Sequence, residues 1–173
     1  MRHDILTCSG TYFNFDQPGW AKIEIEDIAH ALSNICRFTG HSSKFYSVAQ
    51  HSVAVSLVIE PRYALYGLLH DAAEAFIGDV SSPLKSLLPD YKEIEFRVEK
   101  AILSRFGLAY PMPLEVKRAD LIMLSTEQRD LLPPHDDEWE VIKNVKALSE
   151  KIIPLEPSEA KKLFLQRFYE LTI

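Results

Sequence analysis

The stretch from Ala64 to Ile77 restricts the fold more than any other part of the chain. Pro61 ahead of it suits a first helical position and Gly78 stops it, so the run reads as one buried helix. His70, Asp71 and Glu74 sit inside this helix among Leu68, Leu69, Ala72, Ala73 and Phe76. At about 100° per residue, Glu74 projects between His70 and Asp71, and the three polar groups converge on one line. An imidazole and a carboxylate in apolar surroundings must be paired or metal-bound to offset their desolvation. A buried His–Asp hydrogen bond capped by solvent would satisfy the dipeptide alone.

The same helical period recurs along most of the chain. Ile28, Ala29, Leu32, Ile35 and Cys36 share one face of a segment ending near Arg37, ahead of Gly40. A further helix is predicted from about Tyr46 to Ile59. Pro83 and Pro89 bracket a short helical turn, and Asp90 with Glu93 resembles a capping box opening a helix to about Phe106, stopped by Gly107. Another helix follows Pro113 and runs to about Leu132, where Pro133-Pro134 ends it. His135 to Glu140 reads as a solvated acidic loop, and Pro157 to Leu171 as a last amphipathic helix. Residues 11 to 25 alternate around Asp16-Gln17-Pro18-Gly19, with Tyr12, Phe13 and Phe15 before the turn and Ile23 and Ile25 after it, which predicts a short hairpin. The expected fold class is all-α, with one small N-terminal β-hairpin.

At 173 residues the chain suits one compact domain, 1–173: the hairpin at about 11–25, a core at about 27–132 and a helical tail at about 139–173. Hydrophobic residues at 47% and charged residues at 25% are ordinary globular usage, which excludes a disordered or fibrous chain. A formal charge of -6 repels a polyanion, so long nucleic acid is not an expected partner, while a local basic patch can still take a small anion. Cys8 and Cys36 are too few for a disulfide-stapled scaffold or a thiolate metal cluster and point to a reducing cytoplasm. Met1 to Gly10 carries no apolar signal core, and no apolar run has the roughly 20 residues of a membrane span.

A His-Asp pair by itself is unspecific, and the chain contains three: His3-Asp4, His70-Asp71 and His135-Asp136. The first lies near a terminus and the third between a double proline and further acids, where neither side chain would be held rigidly. Only His70-Asp71 falls in an apolar helix. Two other helices add single polar residues to apolar faces. His51 follows a short polar break among Val48, Val53, Val55 and Val58, and Asp120 interrupts the face formed by Val116, Ala119, Met123 and Leu124. Each has an ordinary reading, as a satisfied core histidine or as a partner of Lys117 or Arg118.

Together, His51 in Ala-Gln-His-Ser, His70-Asp71 in Leu-Leu-His-Asp-Ala-Ala-Glu and Asp120 in Val-Lys-Arg-Ala-Asp have the H...HD...D order of the HD-domain phosphohydrolase superfamily. The chain resembles the YfbR-like 5'-deoxynucleotidase branch in particular, through Gly78-Asp79-Val80 and Ser82-Pro83-Leu84-Lys85 as well. The phage DatZ-like dATP triphosphohydrolases lie nearby. The likeness runs from about Asp27 to Leu132 and implies an HD-domain helical bundle.

The resemblance implies metal ligation by His51, His70, Asp71 and Asp120. Two nitrogens and two oxygens leave the ion open among Co, Mn, Zn, Fe and Mg. No His lies between Asp71 and His135, so one divalent ion is expected rather than two. Glu74 and Asp79 are the implied proton-handling residues, with base and acid unassigned, and a turn or cap after Gly78 is the plain alternative for Asp79. Arg37 and Lys85 match phosphate-contacting cations. His41 either assists them or is a loop histidine without a role. Trp20 either stacks on a base or packs in the core.

The implied activity is metal-dependent hydrolysis of a small (deoxy)nucleotide. It would convert either a 5'-monophosphate to nucleoside and phosphate, or a dNTP such as dATP to deoxynucleoside and triphosphate. No P-loop, Gly-x-Ser-x-Gly elbow or redox cysteine motif suggests another chemistry. A non-catalytic metal- or nucleotide-binding sensor is the alternative from another class. An HD phosphodiesterase or nuclease fits less well, since no Gly-Tyr-Pro element follows the His70-Asp71 helix. Relatives within the superfamily are dimers or hexamers, so a homo-oligomer, associating through exposed faces of the terminal helix, is expected.

Overall fold

The structure, a computed structural model, describes residues 2–173. It is mostly helical, with one two-stranded antiparallel hairpin of β1 (Asp4–Leu6) and β2 (Tyr12–Asn14). The helices are α1 (Ile25–Asn34), α2 (Val48–Val58), α3 (Ala64–Leu69), α4 (Glu74–Ile77), α5 (Ser82–Lys85), α6 (Pro89–Arg105), α7 (Leu114–Leu131) and α8 (Pro157–Thr172). No helix among the described residues is long and apolar enough to cross a membrane.

The hairpin lies earlier than the 11–25 pattern predicts. Ile5 pairs with Phe13, and the chain reverses through Cys8-Ser9-Gly10, where Gly10 adopts φ +81° and its N–H donates to the Thr7 carbonyl. Around Asp16-Gln17-Pro18-Gly19 the backbone coils instead. Asn14 Oδ1 accepts the N–H groups of Asp16 and Gln17, and Pro18 at a first helical position opens a 3-10 turn, Pro18–Trp20. Ile23 and Ile25 thus pair with no strand. Both are buried, and Ile25 begins α1.

The expected single helix over 64–77 is divided. From His70 to Ala73 the chain tightens, with Ala72, Glu74 and Ala75 donating to carbonyls three residues back rather than four. His70 Nδ1 takes the Gly67 carbonyl at 2.8 Å, a local side-chain bond that competes with the helical ladder where it narrows. Asp90 and Glu93 make no capping box. Pro89 occupies the start of α6 with Leu88 as a cap lacking a side-chain bond, which leaves Asp90 in the first turn facing the helix dipole. The capping box that does form is Glu156 with Glu159, opening α8.

The main core joins Phe13, Ile28, Leu32, Val48, Leu68, Leu69, Phe76, Val98 and Ile102 to Ala160, Phe164 and Phe168 of α8. The tail helix packs on α1, α2 and α3 and is part of the core. A second cluster of Val55, Ile59, Ala64, Val116, Ala119 and Met123 locks α7 onto α2 and α3. Gly67 makes this arrangement possible. A Cβ there would meet Ser56 Cα at 3.1 Å, Ile59 Cγ2 at 3.2 Å and Ser56 N at 3.3 Å, so only glycine lets α3 lie this close to α2.

Candidate metal centre

The close crossing of α2 and α3 carries His51 and His70 to a common point, and α7 crosses them with Asp120. His51 Nε2 stands 3.3 Å from His70 Nε2, 3.4 Å from Asp120 Oδ1 and 3.6 Å from Asp71 Oδ2. His70 Nε2 and Asp71 Oδ2 are 3.2 Å apart. The four side chains named from the sequence therefore meet, although they come from three separated segments. His51, His70 and Asp120 could hold a metal ion, their donor atoms all lying within 4.8 Å of one another.

Hydrogen bonding on the far side of each ring shows what the centre needs. The Gly67 carbonyl can only accept, so His70 Nδ1 carries the proton there. His51 Nδ1 faces Glu127 Oε1 at 2.5 Å and donates to it, both residues being fully buried. Both Nε2 atoms thus turn inwards to meet two carboxylate oxygens. A nest of donor atoms this dense requires positive charge at its middle. A proton can supply it: Glu127 and Asp120 push the His51 imidazole up to about 9, against burial and Arg37. A divalent cation supplies it equally: His51, His70 and Asp120 offer two nitrogens and one oxygen, donors that the first-row divalent ions accept, and Asp71 lies beside them. Asp71 is held below the usual carboxylate range by His70, His51 and Arg37 despite its burial, and Asp120 likewise by His51, His70 and Lys117. Both are therefore held in the ionised form.

The centre opens into a cleft of about 330 Å³ whose polar lining includes Glu74, Glu95, Glu99 and Lys117. Glu74 is buried and its Oε2 has no hydrogen-bond partner, so an acceptor is held at the cleft wall unused. Burial, Asp71 and Asp79 raise the Glu74 carboxyl well above its ordinary range. Asp79 is raised too, by burial and Asp71 against Arg37 and Lys85.

The remaining sequence-predicted residues stand apart from the cleft or are already engaged. Arg37, on a 3-10 turn, is not directed to a free anion: Nε and Nη2 donate to Glu127 Oε2 at 3.2 and 2.9 Å, and Nη1 lies 3.5 Å from Asp71. Lys85 Nζ donates to Glu95 Oε1 at 2.5 Å. Trp20 is 89% exposed, which rules out core packing for it. His41 is exposed, and neither it nor Trp20 lines the cleft. Asp120 does pair with Lys117, through Oδ2 at 2.8 Å, while Oδ1 stays on the His51 side.

Sequence reasoning missed Glu127, Glu95 and Glu99. Glu127 had a readable signal: it follows Asp120 by seven residues, two helical turns, and sits in the same stripe as Val116, Ala119 and Met123. A carboxylate in such a stripe demands a partner just as Asp120 does.

Fold and site together define a helical protein with a partly buried His/Asp group that could hold a metal ion. No protein-family model matches the chain. It is 46% identical over 169 residues to the uncharacterized protein YfdR of Escherichia coli, a match covering 97% of this chain and 95% of that one, and the chain belongs to the YfdR family. An uncharacterized protein of Rhodobacter capsulatus is 38% identical over 121 residues, 64% of this chain and 62% of its own length.

Proposed function

We propose that the protein is an HD-type, metal-dependent phosphohydrolase that cleaves a small nucleotide, a 5'-monophosphate in preference to a triphosphate. The observation that carries the reading is the convergence of buried His51 with His70, Asp71 and Asp120, which line a cleft whose wall presents Glu74 with an unpartnered oxygen. A divalent ion held by those four residues, Mn, Co, Fe, Mg or Zn, supplies Lewis acidity towards water and phosphoryl oxygen. Glu74 and Asp79 manage the protons. Burial raises both carboxyl groups above their ordinary range, which favours a side chain that holds and returns a proton. Between them they accept one proton from the attacking water and deliver one to the nucleoside oxygen as its bond to phosphorus breaks.

Charge balance supports the shorter substrate. Asp71, Glu74, Glu95, Glu99 and Asp120 all line the cleft, while the cations nearby are already partnered: Arg37 with Glu127 and Asp71, Lys85 with Glu95, and Lys117 with Asp120. A monophosphate brings about two negative charges into this field and a triphosphate about four, and a screened like-charge contact at 4 Å costs on the order of 1 to 4 kcal/mol.

The test is a screen of nucleoside mono- and triphosphates with each of these metals, with products separated by chromatography. We expect nucleoside and inorganic phosphate from a 5'-monophosphate. Asp71→Ala should lose metal and turnover together, and Glu74→Gln should keep metal while losing turnover. Metal and nucleotide binding without any product would overturn hydrolysis in favour of a sensor.

A further inference from the structure

The metal centre is held from behind by a second pair of charges. Glu127 lies on α7 and is fully buried, two turns beyond Asp120. Its Oε1 accepts His51 Nδ1–H at 2.5 Å, and its Oε2 accepts Arg37 Nε–H and Nη2–H at 3.2 and 2.9 Å. Arg37 Nη1 then reaches Asp71 Oδ2 at 3.5 Å. A continuous run of polar contacts thus leads from one candidate ligand, His51, through Glu127 and Arg37 to another, Asp71, and joins α2, α7 and the turn after α3.

A buried ion pair by itself adds little to stability, because desolvation cancels much of the attraction. Arg37 and Glu127 would satisfy each other as an isolated pair, yet each directs a further atom to a candidate ligand. A ring nitrogen bonded on its far side to a carboxylate is fixed in tautomer and orientation, and becomes a stronger ligand. We propose that Glu127 is a positioning residue for the metal centre, holding His51 with its Nε2 lone pair inward, and that Arg37 serves as its counterion. This inference rests on the metal-centre reading of the site.

The experiment titrates the full-length protein with Co²⁺, followed by its visible absorption, in wild type, Glu127→Gln, Glu127→Ala and Glu127→Asp. The expected result is a roughly 10- to 100-fold weaker affinity for Glu127→Gln and Glu127→Ala. Glu127→Asp should recover part of the loss, because it restores a carboxylate that a mere space-filling role would not require. In parallel, ¹⁵N-labelled histidine spectra of the Zn²⁺-loaded wild type should show His51 protonated on Nδ1 alone. Unchanged Co²⁺ affinity in folded Glu127→Gln, or a His51 proton on Nε2 in the Zn²⁺-loaded wild type, would overturn the inference. The spectrum decides the matter even where no Glu127 variant folds. Wild type that binds neither metal would instead overturn the metal-centre reading itself.

Discussion

Replacing Gly67 by alanine tests whether helix proximity builds the centre. An added Cβ would lie 3.1 to 3.3 Å from Ser56 Cα, Ser56 N and Ile59 Cγ2, two of which are backbone atoms of α2 that cannot rotate away. Ordinary carbon contacts begin near 3.5 Å, so α3 and α2 must part by a few tenths of an ångström. Overpacking of this kind costs about 1–3 kcal/mol, and the better helix propensity of alanine returns up to about 1. The net loss is about 1 kcal/mol, a fall in Tm of roughly 2–4 °C for a chain of this size. The larger effect falls on the site. His51 stands on α2 and His70 caps the end of α3, the two helices that separate, with Nε2 atoms 3.3 Å apart, and the Gly67 carbonyl holds the His70 ring. Metal–ligand distances tolerate about 0.2 Å, so Co²⁺ affinity should fall at least about tenfold while the fold persists. Differential scanning fluorimetry and a Co²⁺ titration measure the two quantities on one sample. A Gly67→Ala protein as stable as wild type with unchanged Co²⁺ affinity would refute the claim that this contact sets the geometry.

Glu99 gives a pH signature. Burial, Glu95 and Asp71 push its carboxyl up to about 7. The folded metal-free protein therefore keeps a proton that the unfolded chain releases near pH 4.3, and stability falls as pH rises from about 4.3 to about 7. With solvent at the cleft mouth screening part of the effect, Glu99→Gln should gain about 1–2 kcal/mol at pH 8 and much less at pH 5 by urea unfolding. An equal change at both pH values would contradict the assignment. Phe164 is fully buried where α8 meets the main core. Phe164→Ala should cost about 3–5 kcal/mol in the same assay, and a loss under about 1 kcal/mol would mean that the tail helix is peripheral.

The helical content was legible because apolar residues at three- and four-residue spacing recur between prolines and glycines, and the bounds of α2, α7 and α8 fall close to that pattern. The hairpin was misplaced because its true turn, Cys8-Ser9-Gly10, is flanked by strands too short to show alternation. The division of the 64–77 helix was hidden for a different reason: it falls where the His70 side chain bonds the Gly67 carbonyl and competes with the helical ladder. The four converging side chains were legible because each places charge in an apolar stripe. Which cations remain free was not, since it depends on contacts such as Arg37 with Glu127, 90 residues apart, that no local pattern encodes.

The same contacts explain why so much charge persists inside a small helical fold. Asp71, Glu74, Asp120 and Glu127 cluster where α2, α3 and α7 cross, and burial there would expel them unless each served a partner. Glu127 has Arg37 and His51, and Asp120 has Lys117 and His51. Glu74 has a buried oxygen without a donor, and burial with Asp71 and Asp79 nearby raises its carboxyl well above the ordinary range. Such exceptions to polar satisfaction concentrate where function needs an unspent group. The residue that stability alone would replace is thus the one to which the proposed function gives the proton-handling step.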